Sequence, residues 1–168
     1  STDEVYGSRK EGSFIETDKM EPGNPYSATK AAAEHLINSY ANTYGTNVAI
    51  VRPSNNFGPR QHNEKFLPTI IRSLSAGKKI PVYGQGINVR DWLFVKDNVK
   101  AIYHIIRNSE SRGVYNITSK NEMTNIDMVK SVCNIMEVDW TNCVVYVSDR
   151  SGHDFRYSID NSRLLESG

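Results

Sequence analysis

The sequence predicts an α/β protein in which at least part of the sheet is parallel. Short apolar runs of the kind buried in such sheets alternate along the chain with amphipathic helical patterns. One of these runs feeds directly into an Asn-rich loop, and the loop after a strand is where α/β sheets place their ligands. With 168 residues, 38% of them hydrophobic and 23% charged, the chain suits one ordinary domain with a sizeable core.

Residues 8–23 are polar, rich in Gly, Glu and Lys, and read as a loop. Asn24-Pro25 supplies a cap and a first-turn proline. Ala32, Leu36, Tyr40 and Tyr44 then recur at helical spacing, and Gly45 is the C-terminal stop. NVAIVRP (47–53) is a buried-type strand, SNNFGPRQH a loop, and EKFLPTIIRSLSAG (64–77) a helix. IPVYGQG (80–86) reads as strand and turn, NVRDWLFV (88–95) as strand, and KDNVKAIYHIIRN as amphipathic helix. VYNITS is a strand, TNIDMVKSVCNIM a helix opened by Thr124 or Asn125, and CVVYV a last strand. A further helix is expected to begin after Asp160-Asn161.

Composition narrows the function classes. The formal net charge is +1 and no lysine or arginine run stands out, so nothing resembles a nucleic-acid footprint. No apolar stretch approaches the roughly 18 residues of a membrane span, and no secretory signal leads the chain. The two cysteines, Cys133 and Cys143, form neither a CxxC nor a disulfide scaffold. No metal-ligand spacing appears, and a cytoplasmic location is the default expectation. The chain starts inside a motif with no strand before it, so it is expected to be part of a longer protein.

Two motifs carry chemistry. STDEVYG sets a hydroxyl, Thr2, beside two carboxylates, Asp3 and Glu4. Adjacent like charges ordinarily sit on a solvated turn. Tyr26 and Lys30 form YxxxK at the start of the long helix, so both side chains share a face. An ammonium beside a phenol favours the phenolate. Moving a tyrosine from about 10 towards about 7 takes roughly 4 kcal/mol, which needs a desolvated site with a nearby cationic cofactor. Tyr6 and Lys10 also match YxxxK, but in a glycine-containing loop, and read as chance. GQG at 84–86 has no glycine three residues on and no helix after it, so a hairpin turn is expected instead of a phosphate loop.

STDEVYG, PYSATKAAAEHL, RPSNNFGPRQHNEKFLP, IPVYGQGINVRDWLFVKD and VYNITSKNE fall in one order. Together they resemble the dTDP-glucose 4,6-dehydratases and their UDP-glucose-using relatives, within the extended short-chain dehydrogenases/reductases. The resemblance runs from residue 1 to about residue 160. It implies the C-terminal portion of a Rossmann-type NAD-binding fold interleaved with a smaller α/β substrate-binding domain. Residues 1–58 would be the catalytic end of the NAD-binding domain. Residues 59–168 would bind mainly the nucleotide sugar, with the segments around 90–118 returning to the Rossmann sheet.

The resemblance also implies roles. Tyr26, as phenolate, would remove the C4 hydroxyl proton, with Thr2 bonded to that hydroxyl or to the phenolate. Lys30 would hold the tyrosine ionised and reach the cofactor ribose. Glu4 would take the C5 proton and Asp3 would protonate the departing C6 hydroxyl, provided that a turn lets both neighbours face the sugar. Two close carboxylates push one pKa up, which keeps one of them available as an acid. The product would be a 4-keto-6-deoxy nucleotide sugar, with NAD as cofactor.

Asn55 would face the substrate and Asn56 the NAD side. Lys65, Phe66, Pro81, Val82, Tyr83, Arg90 and Asn125 match substrate-contacting positions, and Asp149, Arg150 and His153 lie in a segment around the nucleotide. Arg90 suits a diphosphate, with an ion pair to Asp91 or Asp97 as the ordinary alternative. His35, His62 and His104 are left without a role. The family's Gly-rich phosphate loop is not in this chain, which would therefore bind NAD+ poorly alone and not turn over. A nucleotide-sugar epimerase or decarboxylase, and a non-catalytic nucleotide-sugar-binding module, are the competing readings. A homodimer through paired helices, including Pro25–Tyr44, is the implied assembly.

Overall fold

A computed structural model describes residues 1–108 and 112–168. The chain opens with a 3-10 turn, Asp3–Tyr6, and a loop that leads to helix α1, Pro25–Tyr44. Strands β1 (Ala49–Pro53) and β2 (Asn55–Phe57), helix α2 (Phe66–Ser75), and strands β3 (Ile80–Tyr83) and β4 (Val89–Phe94) follow. Then come α3 (Val95–Arg107), β5 (Gly113–Ile117), β6 (Glu122–Thr124), α4 (Asn125–Ile135), β7 (Val144–Val147) and the short α5 (Ser162–Glu166).

The strands pair in three groups: β1 with β5 in parallel, β3 with β7 in parallel, and β4 between parallel β2 and antiparallel β6. The α/β class and its parallel pairing therefore stand as expected.

The long helix begins and ends where its residues dictate. Asn24 Oδ1 accepts from Ser27 N at 3.0 Å, and Ser27 Oγ accepts from Asn24 N at 3.3 Å, a reciprocal cap. Pro25 sits where no amide donor is needed, and Gly45 closes the helix in the left-handed region at φ 66°. Thr124 caps α4 by accepting from Asp127 N at 3.1 Å. Asn125 is thus the first helical residue.

Three expectations need correction. The segment Asn55–Phe57, expected as loop, is a strand, because its backbone finds a partner in β4 some 37 residues on, with Asn55 opposite Trp92. The GQG turn does not close a hairpin: β3 and β4 join different strand groups. Gly86 N does bond to Tyr83 O at 3.0 Å, but Gly86 O accepts from Ile126 N of α4 at 2.9 Å, which turns the chain away from β3. A side chain at Gly86 would meet Val82 Cγ1 at 2.8 Å, so only glycine fits. Strand β6 was missed; at three residues it is too short to show a period.

Among the described residues the core has three buried clusters. The largest packs Ile70, Ile80, Val82, Trp92, Met128, Val129, Val132 and Cys133 between α2, α4 and the β3 and β4 strands. A second joins Val5, Tyr6, Phe14, Ala31 and Ile159, seating the opening turn against α1. The third lies under α3, around Leu93, Ile105, Tyr115, Ile117 and Leu164.

A buried polar network ties the second cluster to the sheet. Arg52 on β1 donates Nε to Glu34 Oε1 of α1 at 2.9 Å and Nη2 to Oε2 at 2.6 Å. Its Nη1 donates to the Tyr6 hydroxyl at 2.6 Å, and that hydroxyl donates to Asn116 Oδ1 on β5 at 2.8 Å. Burial alone would raise the Glu34 pKa; the hydrogen bonds and charge of Arg52 overcome it and hold the carboxyl below its ordinary value. Glu34→Leu is expected to destabilise the fold by about 3–5 kcal/mol, because a buried cation is left alone. Urea unfolding measures this, and Glu34→Leu/Arg52→Met is expected to recover most of the loss.

Candidate active site

The opening triplet is held in place by its own turn. Thr2 Oγ1 accepts from Glu4 N at 3.3 Å, capping the 3-10 turn, while its proton goes to Asp3 Oδ1 at 3.1 Å. The other Asp3 oxygen, Oδ2, is buried with no partner. Asp3 is 3% exposed, and its pKa rises to about 7. Burial is the larger cause and the Glu4 charge the next; Thr2 opposes both. Buried, with one oxygen unpartnered, the Asp3 carboxyl keeps a proton close to neutrality.

Glu4 is half-buried. Its Oε2 lies 3.4 Å from the Tyr157 hydroxyl, which gives its proton to Asp154 Oδ2 at 2.5 Å. Burial and the Asp154 bond push the Tyr157 phenol well above its ordinary value. Tyr157 thus stands against the triplet, although nothing in its sequence context marked it.

Tyr26 lies in the first turn of α1 and is 55% exposed. Its pKa is raised, by burial first and then by the Glu4 and Asp3 charges. That direction is opposite to the one expected of the Tyr-Lys pair. The reason is local: the phenol is partly desolvated, the Glu4 and Asp3 carboxyls lie near it, and Lys30, one turn further along, forms no hydrogen bond with it among the described residues. Tyr6, the other YxxxK tyrosine, is 1% exposed, with its hydroxyl held by Arg52 and Asn116.

A cavity of about 380 Å³ brings these groups together with the β1–β2 junction. Thr2, Asp3, Glu4, Tyr26, Asn55, Asn56, Lys65 and Phe66, all singled out from sequence, line it. Ser54, Gln61, His62 and Trp92 line it too. These four were missed, and His62 had been set aside; only the pairing of β2 with β4 and the turn after Gly58 bring them in. A second hollow of about 420 Å³ shares Glu4, Tyr26 and Lys65 and adds Asn24 and Arg150, so two cations, Lys65 and Arg150, line it.

The remaining residues lie elsewhere. Lys30 lines neither cavity. Pro81 and Tyr83 are exposed on β3, whereas the Val82 side chain is wholly buried in the core and could offer a ligand only its backbone. Arg90 makes neither ion pair that was weighed for it. Its guanidinium donates to the carbonyls of Val89 at 2.6 Å, Asp154 at 2.8 Å and Phe155 at 3.3 Å, and stacks 4.5 Å from the Tyr157 ring centre. Asn125 is half-buried at the head of α4, its N–H given to Asn88 O at 3.0 Å. Asp149 and His153 pair with each other at 2.6 Å, with Tyr83 edge-on to the imidazole.

The carboxylate that organises the β2 side is Asp91. It is 1% exposed and accepts from the hydroxyls of Ser54, Thr118 and Ser119 and from the amides of Ser119 and Asn121. Ser54 is thereby fixed at the cavity wall, and its carbonyl accepts from Asn56 Nδ2 at 3.0 Å. Asn56 Oδ1 and Asn55 Oδ1 are left buried without partners.

Parallel strands ending at a cavity, a capped helix opening on Tyr-x-x-x-Lys and a Thr-Asp-Glu turn beside it define a Rossmann-like fold of the extended short-chain dehydrogenase/reductase type. The profile of the NAD dependent epimerase/dehydratase family matches residues 1–118, and the chain belongs to that family. The low-salt glycan biosynthesis protein Agl12 of Haloferax volcanii is 44% identical over 168 residues, covering 100% of this chain and 54% of that protein. A dTDP-glucose 4,6-dehydratase of Neisseria gonorrhoeae is 40% identical over 176 residues, covering 98% and 51%. The crystal structure of DesIV, a dTDP-glucose 4,6-dehydratase from Streptomyces venezuelae with NAD and TYD bound, superposes with a TM-score of 0.94 at 38% identity, covering 98% of this chain and 51% of that one. The chain thus spans about half the length of the relatives it matches.

The Asp3 carboxyl gives a stability test. Folded, it keeps its proton to about pH 7; unfolded, it releases it near 3.8. Folding therefore takes up a proton between those values, and stability falls as pH rises through that window and is flat above it. Asp3→Asn removes the charge and keeps the shape. It is expected to gain on the order of a few kcal/mol over the wild type at pH 8 and nothing at pH 3, read from denaturation midpoints across pH.

Proposed function

We propose that the protein is an NAD-dependent nucleotide-sugar 4,6-dehydratase. It converts dTDP-glucose to the 4-keto-6-deoxy sugar nucleotide, in deoxysugar and rhamnose biosynthesis. The observation that carries the reading is the Thr2–Asp3–Glu4 turn. It sets two carboxyl groups of unlike burial on one cavity wall with Tyr26, with the buried Asp3 protonated near neutral pH. A reaction that only moves a hydride out and back has no use for such a pair. An elimination across C5 and C6 needs an acid and a base.

NAD fits the residues present: the unpartnered Asn56 Oδ1 awaits a donor, and the exposed Tyr26 phenol stands at the same cavity. Tyr26, Lys30 and Asn56 would hold it, and when bound it supplies the reversible oxidation of the sugar. Tyr26 Oη removes the C4 hydroxyl proton. The Lys30 ammonium, one turn along α1, opposes the carboxylate charges that raise the phenol. Thr2 fixes the turn and so the spacing of its neighbours. Glu4 takes the proton at C5, made acidic by the adjacent ketone, and Asp3 delivers its proton to the C6 hydroxyl as water leaves.

Lys65 and Arg150, which both line the second hollow, suit a diphosphate, and Asn55 suits sugar hydroxyls. Arg90, Asn125, Asp149, His153, Phe66 and the β3 backbone at Pro81–Tyr83 would complete the nucleotide side. The catalytic end, residues 1–58, and the substrate part, 59–168, would meet through segments around 90–118; β5 pairing with β1 supports that return. A homodimer through α1 belongs to the same reading, with Leu36, Tyr40 and Tyr44 exposed at successive turns.

The test uses the natural gene product that carries this chain, incubated separately with dTDP-glucose and UDP-glucose. Loss of one water by mass spectrometry from one of them, reduced at least a hundredfold in Glu4→Gln, is the expected result. Retention of water on both, with NAD+ bound, would sink the dehydratase reading.

A further inference from the structure

The segment that leads into Tyr157 brings to Glu4 a carboxyl that the mechanism does not use, that of Asp154. The Asp154 carbonyl accepts from Arg90 Nη2 at 2.8 Å and from Asn88 Nδ2 at 3.2 Å, so the backbone is anchored whatever its side chain. The carboxyl lies against Gly23, where an added Cβ would stand 2.8 Å from Oδ1. Its Oδ2 accepts from Asn24 Nδ2, in the cap of α1, at 3.4 Å and from the Tyr157 hydroxyl at 2.5 Å.

Tyr157 has one hydroxyl proton and two carboxyl oxygens in reach of it. Asp154 Oδ2 is at 2.5 Å and Glu4 Oε2 at 3.4 Å. The tyrosine is 3% exposed and its ring stacks under the Arg90 guanidinium, so the proton can turn where the ring cannot. The shorter bond takes it. Glu4 then meets the oxygen of the hydroxyl, and among the described residues no other group donates to its carboxyl. A hydrogen bond to a carboxylate favours the charged form and weakens it as a base.

We propose that Asp154 is a positioning residue: by holding the Tyr157 proton, it keeps the Glu4 carboxylate free of a hydrogen bond and strong as a base. This rests on the reading of Glu4 as the base at C5, and deepens it by naming the group that governs its strength. The other charged and titratable groups around Glu4 and Tyr157 are Asp3, Tyr26 of α1, Arg90 of β4, and Lys65 and Arg150 in the second hollow. A substitution at Asp154 alters none of them. It does remove a negative charge, so the test needs a partner variant that lacks the same charge and also the hydroxyl.

The experiment labels the glutamate Cδ carbons of the natural gene product with 13C and identifies Glu4 by the resonance lost in Glu4→Gln. In Asp154→Ala the Tyr157 proton turns to Glu4, and the Glu4 titration midpoint is expected to fall by about one pH unit. The acidic limb of dTDP-glucose dehydration against pH moves down with it, and the plateau rate falls about fivefold. Asp154→Ala/Tyr157→Phe is expected to recover at least about half of the midpoint shift, since the hydrogen bond alone separates the two variants. Tyr157→Phe by itself is expected to leave the midpoint within about 0.3 pH units. An unmoved midpoint in Asp154→Ala, or a shift that persists whole in the double variant, would overturn the proposal. So would a rise near one unit in Tyr157→Phe, which would place the proton on Glu4 already and does not need Asp154→Ala to fold. A wild type that leaves water on both sugar nucleotides would remove the dehydratase reading and Glu4 as its base. The carboxyl titration needs no turnover, and it decides separately whether Asp154 holds the Tyr157 proton.

Discussion

The buried Arg52–Glu34 pair is the constraint on which the geometry of the site depends. Arg52 belongs to the strand that ends at the cavity, Glu34 to the helix that carries Tyr26, and the Tyr6 hydroxyl to the turn that carries the carboxyl pair. Asn116 adds the neighbouring strand, and its Nδ2 reaches on to the carbonyls of Phe14 and Asp160. A charge removed from water tolerates few arrangements, since every lost bond leaves an unpaid desolvation cost. The same network that is weak evidence for stability is therefore strong evidence for register. It fixes how far the head of α1 stands from the opening turn.

Within that frame, the chemistry of the site follows from unequal burial. Asp3 and Glu4 are neighbours with the same functional group, but the 3-10 turn sends one inward and leaves the other half-exposed. Desolvation raises the Asp3 pKa more than the Glu4 charge beside it does. A reaction needing an acid and a base at adjacent carbons can use such a pair at one pH, which two equivalent carboxylates could not provide. Burial first, and then the Glu4 and Asp3 charges, raise the Tyr26 phenol, which disfavours its phenolate.

Asp91 does for β2 what Arg52 does for α1. By gathering three hydroxyls and two amides it fixes Ser54, and through Ser54 it orients the Asn56 amide. The wall ends with acceptors that the protein itself leaves unpaired. Such groups cost stability in the fold. Structural carboxylates behind the wall and unsatisfied amides on it are two parts of one arrangement.

By itself the sequence determined the α/β class, the capped helix from Pro25 to Tyr44 and its stop at Gly45. It also brought forward the Thr2–Glu4 and Tyr26 groups that the cavity gathers. Those features are local: caps, turns and periodicity act over a few residues, and the two motifs are contiguous or one helical turn apart. Even the false YxxxK at Tyr6 was separable locally, because no helix follows it. Tertiary structure alone decided the rest. The β2 strand exists only because β4 lies beside it, and Gln61, His62 and Trp92 reach the cavity only through that pairing and the turn at Gly58. The Arg90 guanidinium was given to the carbonyls of Asp154 and Phe155, more than sixty residues on, as well as to that of its neighbour Val89, and the Asp3 pKa was set by how much water is excluded around it. Burial and nonlocal pairing are sums over the whole fold, so no short stretch of sequence carries them.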